Sequence, residues 1–357
     1  MTASSRARAL SCAVVAILVG GALQSCGAGG SGGAAATSAT TQSRGAPAAA
    51  PGGGSAAAAP SRGAAAPARP GAAIRLRVTD SAAMPAAVQL PGLARASGGR
   101  VVAVGGLDAA DASTASVIGV LPAPARVVGE LPQAAHDIGV AAIGRTVYAF
   151  GGGTAAGPIA TITAIGEHGR TRVAGRLPVA MSDTTAVALG STAYVIGGYT
   201  ATAPLRSVLA FRPGHGVRVA AELPHPVRYA AAAAIGSRIY VAGGTTGTRA
   251  RREIVEVNPA THRVRVVGRL PAPLAHAAGA ALGATFYVIG GRDDALSGQR
   301  ASIWAFDPAT RRLRRAGRLP LALSDLAAVA VGDHVVVVGG RDRRGRVHAE
   351  RWTLGPA

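Results

Sequence analysis

The chain has 357 residues, and its 37 basic residues outnumber 17 acidic ones to give a formal net charge of +20. Every basic residue is an arginine. Such a charge favours anionic partners, for example lipid headgroups, envelope polymers or acidic proteins. We exclude nucleic acid as a partner, because the arginines are not interleaved with aromatic residues and no nucleic-acid-binding motif occurs.

The N-terminal 25 residues have the pattern of an export signal. Arg6 and Arg8 precede an apolar run over residues 9–23, which is short for a membrane span of roughly 20 residues. The following Leu-Gln-Ser-Cys, ending at Cys26, resembles the lipobox of bacterial lipoproteins. That resemblance implies cleavage after residue 25, lipidation of Cys26 and a place on the extracytoplasmic face of the cell membrane. Ordinary cleavage and secretion is the alternative.

Residues 26–73 form the second predicted segment, a linker that begins at the lipidated Cys26. Alanine, glycine, proline and serine dominate it, and the first acidic residue of the chain is Asp80. Such a composition predicts a disordered tether, with an r.m.s. reach on the order of 40 Å. The only other cysteine, Cys12, lies in the signal, so residues 74–357 contain no thiol and must depend on packing for stability.

Residues 74–357 contain six copies of one short pattern, an apolar run that ends in two glycines and recurs every 46 to 49 residues. A near-constant period predicts one supersecondary unit repeated six times. The glycine pairs are Gly105–Gly106, Gly151–Gly152, Gly197–Gly198, Gly243–Gly244, Gly290–Gly291 and Gly339–Gly340.

Each unit is predicted to hold four short strands. A Leu-Pro pair, first seen at Leu90–Pro91, precedes an alanine-rich strand; the second strand ends at the glycine pair, and two further strands follow. Six such units predict an all-β, six-bladed propeller with the alanine-rich strands at its axis. The glycines are expected to allow a sharp turn, or a close approach by a neighbour that a Cβ would block.

Closure of the ring is predicted to involve the N-terminus. The last unit lacks a fourth strand, because the sequence stops just past Pro356. Residues 74–78 alternate apolar and basic side chains, which is the period of a half-exposed strand. We therefore expect this N-terminal strand to complete the last blade.

Units that end in Tyr-Val-Ile-Gly-Gly and are connected to the next unit through Leu-Pro resemble the Kelch repeat family over residues 74–357. The tryptophan usual on the fourth Kelch strand is missing, and Trp304 and Trp352 fall on the third strand instead. The resemblance implies a propeller but not an activity. Galactose oxidase, one relative, needs a Tyr–Cys thioether, and no cysteine follows Cys26. We expect no cofactor.

A polar ligand site is predicted at the channel mouth, where the loops before the first strands converge. Its candidate residues are Arg95, His136, Asp137, Ser182, Asp183, Arg228, Tyr229, His276, Ser324 and Asp325. His136 with Asp183 or Asp325 has the chemistry for proton transfer. The alternative is that these side chains only hydrate the mouth of the pore.

No metal site is expected, since the other histidines show no ligand spacing. Arginines cluster around residues 249–252, 311–315 and 343–346, either as a solvated rim or as a contact for an anionic partner. We expect a monomeric, membrane-tethered binding module for a protein, glycan or anionic envelope ligand. The alternative is a sugar-modifying enzyme similar to the six-bladed N-acetylneuraminate epimerases.

Overall fold

The computed structural model describes residues 74–295 and 298–357. The predicted signal peptide (1–25) and the predicted linker with Cys26 (26–73) lie outside the described residues. Within those residues there are strands and turns and no helix, so the predicted all-β fold class is confirmed. The successive antiparallel meanders agree with a Kelch-type propeller.

One strand, β1 (Leu76–Ala83), precedes four separate four-stranded meanders. The first contains β2 (Gly92–Arg95), β3 (Val101–Val104), β4 (Ser116–Leu121) and β5 (Arg126–Glu130). The second contains β6 (Gly139–Ile143), β7 (Thr146–Phe150), the added hairpin of β8 (Gly153–Thr154) and β9 (Gly157–Pro158), β10 (Thr161–Ile165) and β11 (Thr171–Arg176). The third contains β12 (Thr185–Leu189), β13 (Thr192–Ile196), β14 (Ser207–Arg212) and β15 (Gly216–Glu222). The fourth contains β16 (Ala231–Ile235), β17 (Arg238–Ala242), β18 (Glu253–Asn258) and β19 (Arg263–Arg269).

The remaining strands join β1 in one nine-stranded sheet. They are β20 (Ala275–Leu282), β21 (Thr285–Arg292), β22 (Arg300–Asp307), β23 (Arg312–Ser324), β24 (Ala327–Val331), β25 (His334–Val338), β26 (Arg341–Asp342) and β27 (Glu350–Pro356). Trp304 lies in β22 and Trp352 in β27, which are third strands of their meanders, as the sequence predicts.

The first strand of each repeat contacts the first strand of the next, in the order β2, β6, β12, β16, β20, β24 and back to β2. These strands are rich in alanine, for example Ala231 to Ala234 in β16. Small side chains let six strands approach one another. The bulky residues lie farther out, in the second and third strands, where they pack between neighbouring sheets; the Phe150 and Phe211 rings, from two repeats, are 5.4 Å apart.

The N-terminal strand β1 pairs antiparallel with β27, from Leu76 opposite Pro356 to Ala83 opposite Glu350. It also contacts β23 in parallel, at Gly317. The strand therefore runs past residues 74–78, the segment that the sequence indicates. Leu76 is buried in the core, which fixes the register of the pairing.

A β-bulge interrupts the pairing of the last strand of each repeat. The register shifts once in the pairs β4–β5, β10–β11, β14–β15, β18–β19 and β1–β27, and twice in the pair β22–β23. In β11 the shift sets Thr163 opposite Val173 and Ile162 opposite Gly175. A bulge bends its strand and raises the local twist, and beside it two consecutive side chains, Arg172 and Val173, are exposed.

The glycine pairs mark contacts between successive repeats. A Cβ on the first glycine of any pair would lie 2.1 to 2.6 Å from a carbonyl oxygen of the following repeat. Gly339, in the last repeat, meets Val88 O of the first repeat in this way, and the N–H of Gly340 donates to the same oxygen at 2.9 Å. The prediction that the glycines permit a close approach is confirmed.

The prediction that the first unit begins at Leu90–Pro91 is wrong. In the later repeats the leucine N–H donates to the backbone ahead of a third strand, as Leu131 N does to Ala115 O at 2.7 Å. In the first repeat the equivalent bond joins Met84 N to Ala349 O at 2.6 Å. Met84–Pro85 therefore takes this role, because methionine fills a leucine site with similar volume.

Alanine substitution separates the close approach from backbone strain. Gly339 and Gly332 have φ of +61° and +62°, but a Cβ at Gly332 would meet nothing within 4 Å. Both substitutions incur the left-handed strain, and only Gly339→Ala collides with Val88 O. We expect Gly339→Ala to lower the free energy of unfolding in urea by about 1–3 kcal/mol more than Gly332→Ala does. Equal losses would contradict the contact.

Candidate functional site

Six residues, one per repeat, form a ring at or just before the start of the first strands, and we call them the collar. All six have positive φ, between 54° and 61°. They are Leu90, Asp137, Asp183, Tyr229, His276 and Asp325. Non-glycine residues rarely adopt this conformation, and where they do the surroundings must hold it.

Main-chain hydrogen bonds hold the collar together across the repeats. The Leu90 N–H donates to Asp325 O at 2.7 Å, linking the first repeat to the last. The same bond joins Asp325 to His276, His276 to Tyr229, Tyr229 to Asp183, and Asp137 to Leu90, at 3.0 to 3.3 Å. Side chains distant in sequence are thereby brought to one place.

The collar surrounds the mouth of a cavity of about 130 Å³. All six collar residues line it, together with the first residues of the six alanine-rich strands. Among its lining residues are three nearly buried carboxyl groups, those of Asp137, Asp183 and Asp325. The predicted convergence of polar groups is therefore present for five of the candidate residues.

Four further candidates precede a collar residue directly. His136, Ser182 and Arg228 form β-bridges to the residues that follow glycine pairs, and Ser324 pairs in the same way with Arg341. Arg95 is not brought to this group. It is the last residue of β2 and lines a separate cavity of about 370 Å³ between the alanine-rich strands. In the first repeat the collar position is occupied by Leu90, five residues earlier in the sequence.

Arg228 is the cation that balances one side of the collar. Its guanidinium forms an ion pair with Asp183 and donates to Tyr229 Oη at 3.2 Å. It also lies 4.1 Å from the centre of the Tyr199 ring, a cation–π distance. Burial acts to lower the pKa of Arg228, but Asp183, Tyr229 and Asp137 together outweigh it, and the pKa is raised.

Asp137 lacks such a cation. The Tyr229 hydroxyl donates to its Oδ2 at 3.2 Å. Burial, followed by the negative charges of Asp183 and Asp325, raises the pKa of Asp137 well above its usual range. Burial and the Asp137 and Asp183 charges also raise the pKa of Tyr229. The proton therefore stays on Asp137 at pH values where an exposed aspartate is ionised.

Asp325, in contrast to Asp137, is stabilised in its ionised form. His276 Nδ1 lies 2.5 Å from its Oδ1, and the Ser324 hydroxyl donates to its Oδ2 at 2.5 Å. Burial would raise the pKa of Asp325, yet the hydrogen bond and charge of His276 lower it. Arg292 lies 2.8 Å from His276 Nε2, so both ring nitrogens of His276 have partners.

His136 lies at the edge of the collar. Its Nδ1 is 2.8 Å from the Ser113 hydroxyl and its Nε2 is 3.7 Å from Asp137 Oδ2. Burial lowers the pKa of His136, although the Asp183 charge opposes the shift. A neutral His136 is therefore favoured near pH 7.

An arginine-lined cleft of about 520 Å³ adjoins the collar and shares Leu90, Tyr229, His276 and Asp325 with it. Its arginines come from the last two repeats: Arg292, Arg341, Arg343 and Arg344. None of the four is among the predicted site residues, although Arg292 and Arg341 each follow a glycine pair directly and so face the same end of the fold.

Three of these guanidinium groups are held in place. Arg343 donates to Gln299 O from both Nε and Nη2, at 3.1 and 2.9 Å. Arg341 donates to Asp111 Oδ1 at 3.1 Å, and Arg292 to His276. Within the described part of the chain the side chain of Arg344 makes no hydrogen bond or ion pair, and it is exposed.

The described residues contain neither a metal cluster nor a membrane-spanning helix. No three histidine, cysteine, aspartate or glutamate side chains there lie close enough together to bind a metal ion. In the same part of the chain no helix is long and apolar enough to cross a membrane.

A protein-family model, the KLHDC2/KLHL20/DRC7 Kelch-repeats domain, matches residues 140–340, more than half of the chain. The chain belongs to the Kelch-repeat family. No curated protein matches the sequence. The predicted family is confirmed. Kelch propellers act generally as protein-binding modules, and a protein partner for this Kelch domain agrees with that role.

Two of the three collar aspartates, Asp137 and Asp325, should affect stability in opposite directions. Because its pKa is raised, Asp137 holds a proton in the folded state that the unfolded chain loses near pH 4. Stability should therefore fall as pH rises from about 4 through the raised pKa, by up to about 1.4 kcal/mol per pH unit. Asp137→Asn keeps an acceptor for Tyr229, and we expect it to remove this fall in thermal melts across pH 4–9.

Asp325→Asn is the comparison. The lowered pKa of Asp325 stabilises the folded state above about pH 4, and that contribution is lost as pH falls through the lowered pKa. At pH 7 the substitution should therefore destabilise the domain, by roughly 1–3 kcal/mol. Shifts of the same sign for the two variants at pH 7 would contradict the assigned charge states.

Proposed function

We propose that this chain is an exported, lipid-anchored Kelch propeller that binds an anionic ligand on the face around its collar. The ligand is an acidic protein or, failing that, an acidic glycan of the envelope. The observation that carries the proposal is the convergence of side chains from all six repeats on one cavity and its adjoining arginine cleft.

We infer six blades in a closed ring. Three observations support this architecture: the cyclic order of contacts between first strands, the Gly339 contact with Val88, and the pairing of β1 with β27. The third makes the N-terminal strand the outermost strand of the last blade. A closed ring keeps the collar rigid and presents its loops on a single face.

The charge of the cleft favours an anionic ligand. Four arginines line it, against the two carboxyl groups of Asp111 and Asp325. Guanidinium groups already fixed by hydrogen bonds lose less freedom when they bind a carboxylate, and their remaining donors are in place. The adjacent Tyr229 ring, stacked 3.8 Å from His276, adds an apolar surface.

A sugar-modifying enzyme similar to N-acetylneuraminate epimerase is the alternative. The His276 side chain, which is 7% exposed and lies beside the cavity, is the feature that favours it. Proton transfer, however, requires a ring nitrogen that reaches the substrate, and both nitrogens of His276 are engaged, by Asp325 and Arg292. The geometry therefore supports binding better than catalysis.

Charge reversal in the cleft tests the ligand class. Arg344→Glu changes an exposed cleft residue, and Arg346→Glu, also exposed but outside the cleft lining, is the matched control. We expect quantitative pull-downs from envelope extracts to lose the ligand about tenfold with Arg344→Glu, because like charges then face each other. The control should retain it. Equal retention by both variants would place the ligand elsewhere.

Membrane anchoring has a separate test. Lipidation of Cys26 requires its sulfur, so Cys26→Ala should move the protein from the membrane fraction to the soluble or secreted fraction. Cys12→Ala removes the other cysteine, within the predicted signal, and should leave the protein in the membrane fraction. If both variants remain with the membrane after a salt wash, the anchor is not at Cys26.

A further inference from the structure

We infer that a basic patch on the rim of the domain docks it onto anionic lipid headgroups. The patch, here called the rim patch, comprises residues 74–79 and 308–321, at the junction of β1 and β23. These residues include seven arginines and no acidic residue. The seven are Arg75, Arg77, Arg311, Arg312, Arg314, Arg315 and Arg318. The inference rests on the proposed place at a membrane and adds the surface that faces it.

The rim patch differs from the corresponding outer segments of the other repeats. Residues 122–131 and 213–223 each contain one arginine and one glutamate, and residues 166–177 contain three arginines and one glutamate. Residues 259–270 contain three arginines, of which Arg265 forms an ion pair with Glu256 at 2.9 Å. The positive charge is therefore concentrated at one junction rather than spread evenly around the rim.

The pairing of β1 with β23 produces this concentration. Leu76 lies opposite Gly317 in parallel register, so arginines from both ends of the repeat region become neighbours. Arg75, Arg77, Arg315 and Arg318 line a groove of about 840 Å³. All four are exposed, and none forms an ion pair within the described residues.

The chemistry of the groove suits a lipid surface. Guanidinium groups bind phosphate oxygens in a bidentate manner, and attraction to an anionic leaflet grows with each arginine within a Debye length, about 8 to 10 Å. Ile74 is 40% exposed and Leu321 is 38% exposed within the same patch. Apolar side chains beside arginines are typical of surfaces that rest in the headgroup region.

The position of the patch favours lipid over a soluble polyanion. The described chain begins at Ile74, inside the patch, directly after the predicted tether that leads back to Cys26. The proposed attachment through Cys26 therefore enters the domain within the patch, which makes the patch the part of the domain nearest along the chain to the proposed anchor. No residue of the patch lines the collar cavity or the arginine cleft, so docking leaves the proposed ligand site open.

Two matched fluorescent probes test the orientation. Ala309 and Ala260 are both exposed, and each follows a proline in an equivalent turn, with its N–H bound to Asp307 or Asn258. In the full chain with Cys12→Ser and Cys26→Ser, a probe is attached at Ala309→Cys or Ala260→Cys. Vesicles of phosphatidylcholine, with or without phosphatidylglycerol, carry a nitroxide quencher on their headgroups.

We expect quenching at position 309 on phosphatidylglycerol vesicles, little at 260, and loss of the difference in high salt. Replacing Arg75, Arg77, Arg315 and Arg318 by Gln should abolish quenching at position 309. It should also weaken binding of the protein to phosphatidylglycerol vesicles at least about tenfold. The same change at Arg126, Arg172, Arg218 and Arg263 removes equal charge elsewhere on the domain. It should leave both the quenching at position 309 and the vesicle binding unchanged.

Equal quenching at both positions, no quenching at 309, or equal effects of the two fourfold variants would overturn the inference. Thermal melts of the two fourfold variants should match that of the parent chain, which excludes unfolding as the cause. Because Cys26 is replaced throughout, a failure here leaves both the lipid-anchor test and the cleft test of the proposed function unaffected.

Discussion

The contact between a carbonyl oxygen and the bare Cα of a glycine is the constraint on which this Kelch domain depends. It recurs once per repeat, always between one repeat and the next, and the contact of Gly339 with Val88 joins the last repeat to the first. A side chain at that glycine would push successive sheets apart. The motif is therefore diglycine for a reason that lies in the neighbouring repeat rather than in its own turn.

The same junctions generate the collar, where equivalent backbone positions carry different chemistry. Each collar residue is held at positive φ by bonds from adjacent repeats, so the fold tolerates Leu90, Tyr229 or His276 where aspartate would be the easier choice. Asp137 and Asp325 show the result: similar burial, but opposite pKa shifts, because one faces carboxylates and the other a histidine. Equivalent backbone positions that carry variable side chains are a suitable basis for binding.

Strand content and repeat register were predictable, because glycine spacing and strand periodicity are local properties. The collar residues could be predicted wherever a Leu-Pro pair marks the start of the unit. The prediction failed in the first unit, where Met84–Pro85 takes the place of the Leu-Pro pair and Leu90 is the collar residue. Arg292 and Arg341 were missed because their convergence depends on loop conformation. Charge states were also beyond the sequence: the proton on Asp137 follows from burial near Asp183 and Asp325, which lie far along the chain.

The bulge in the outermost strand of each separate meander affects whether copies of the domain can pair edge to edge when they are crowded. An unbroken, flat edge strand offers its free N–H and C=O groups to any second copy that arrives in register. In each of the four separate meanders the outermost strand is bent at a bulge, and β11, for example, turns Arg172 and Val173 outward together. Crowded copies would meet misaligned backbones and like charges instead of a template, so fibre growth by strand addition is disfavoured at these four edges.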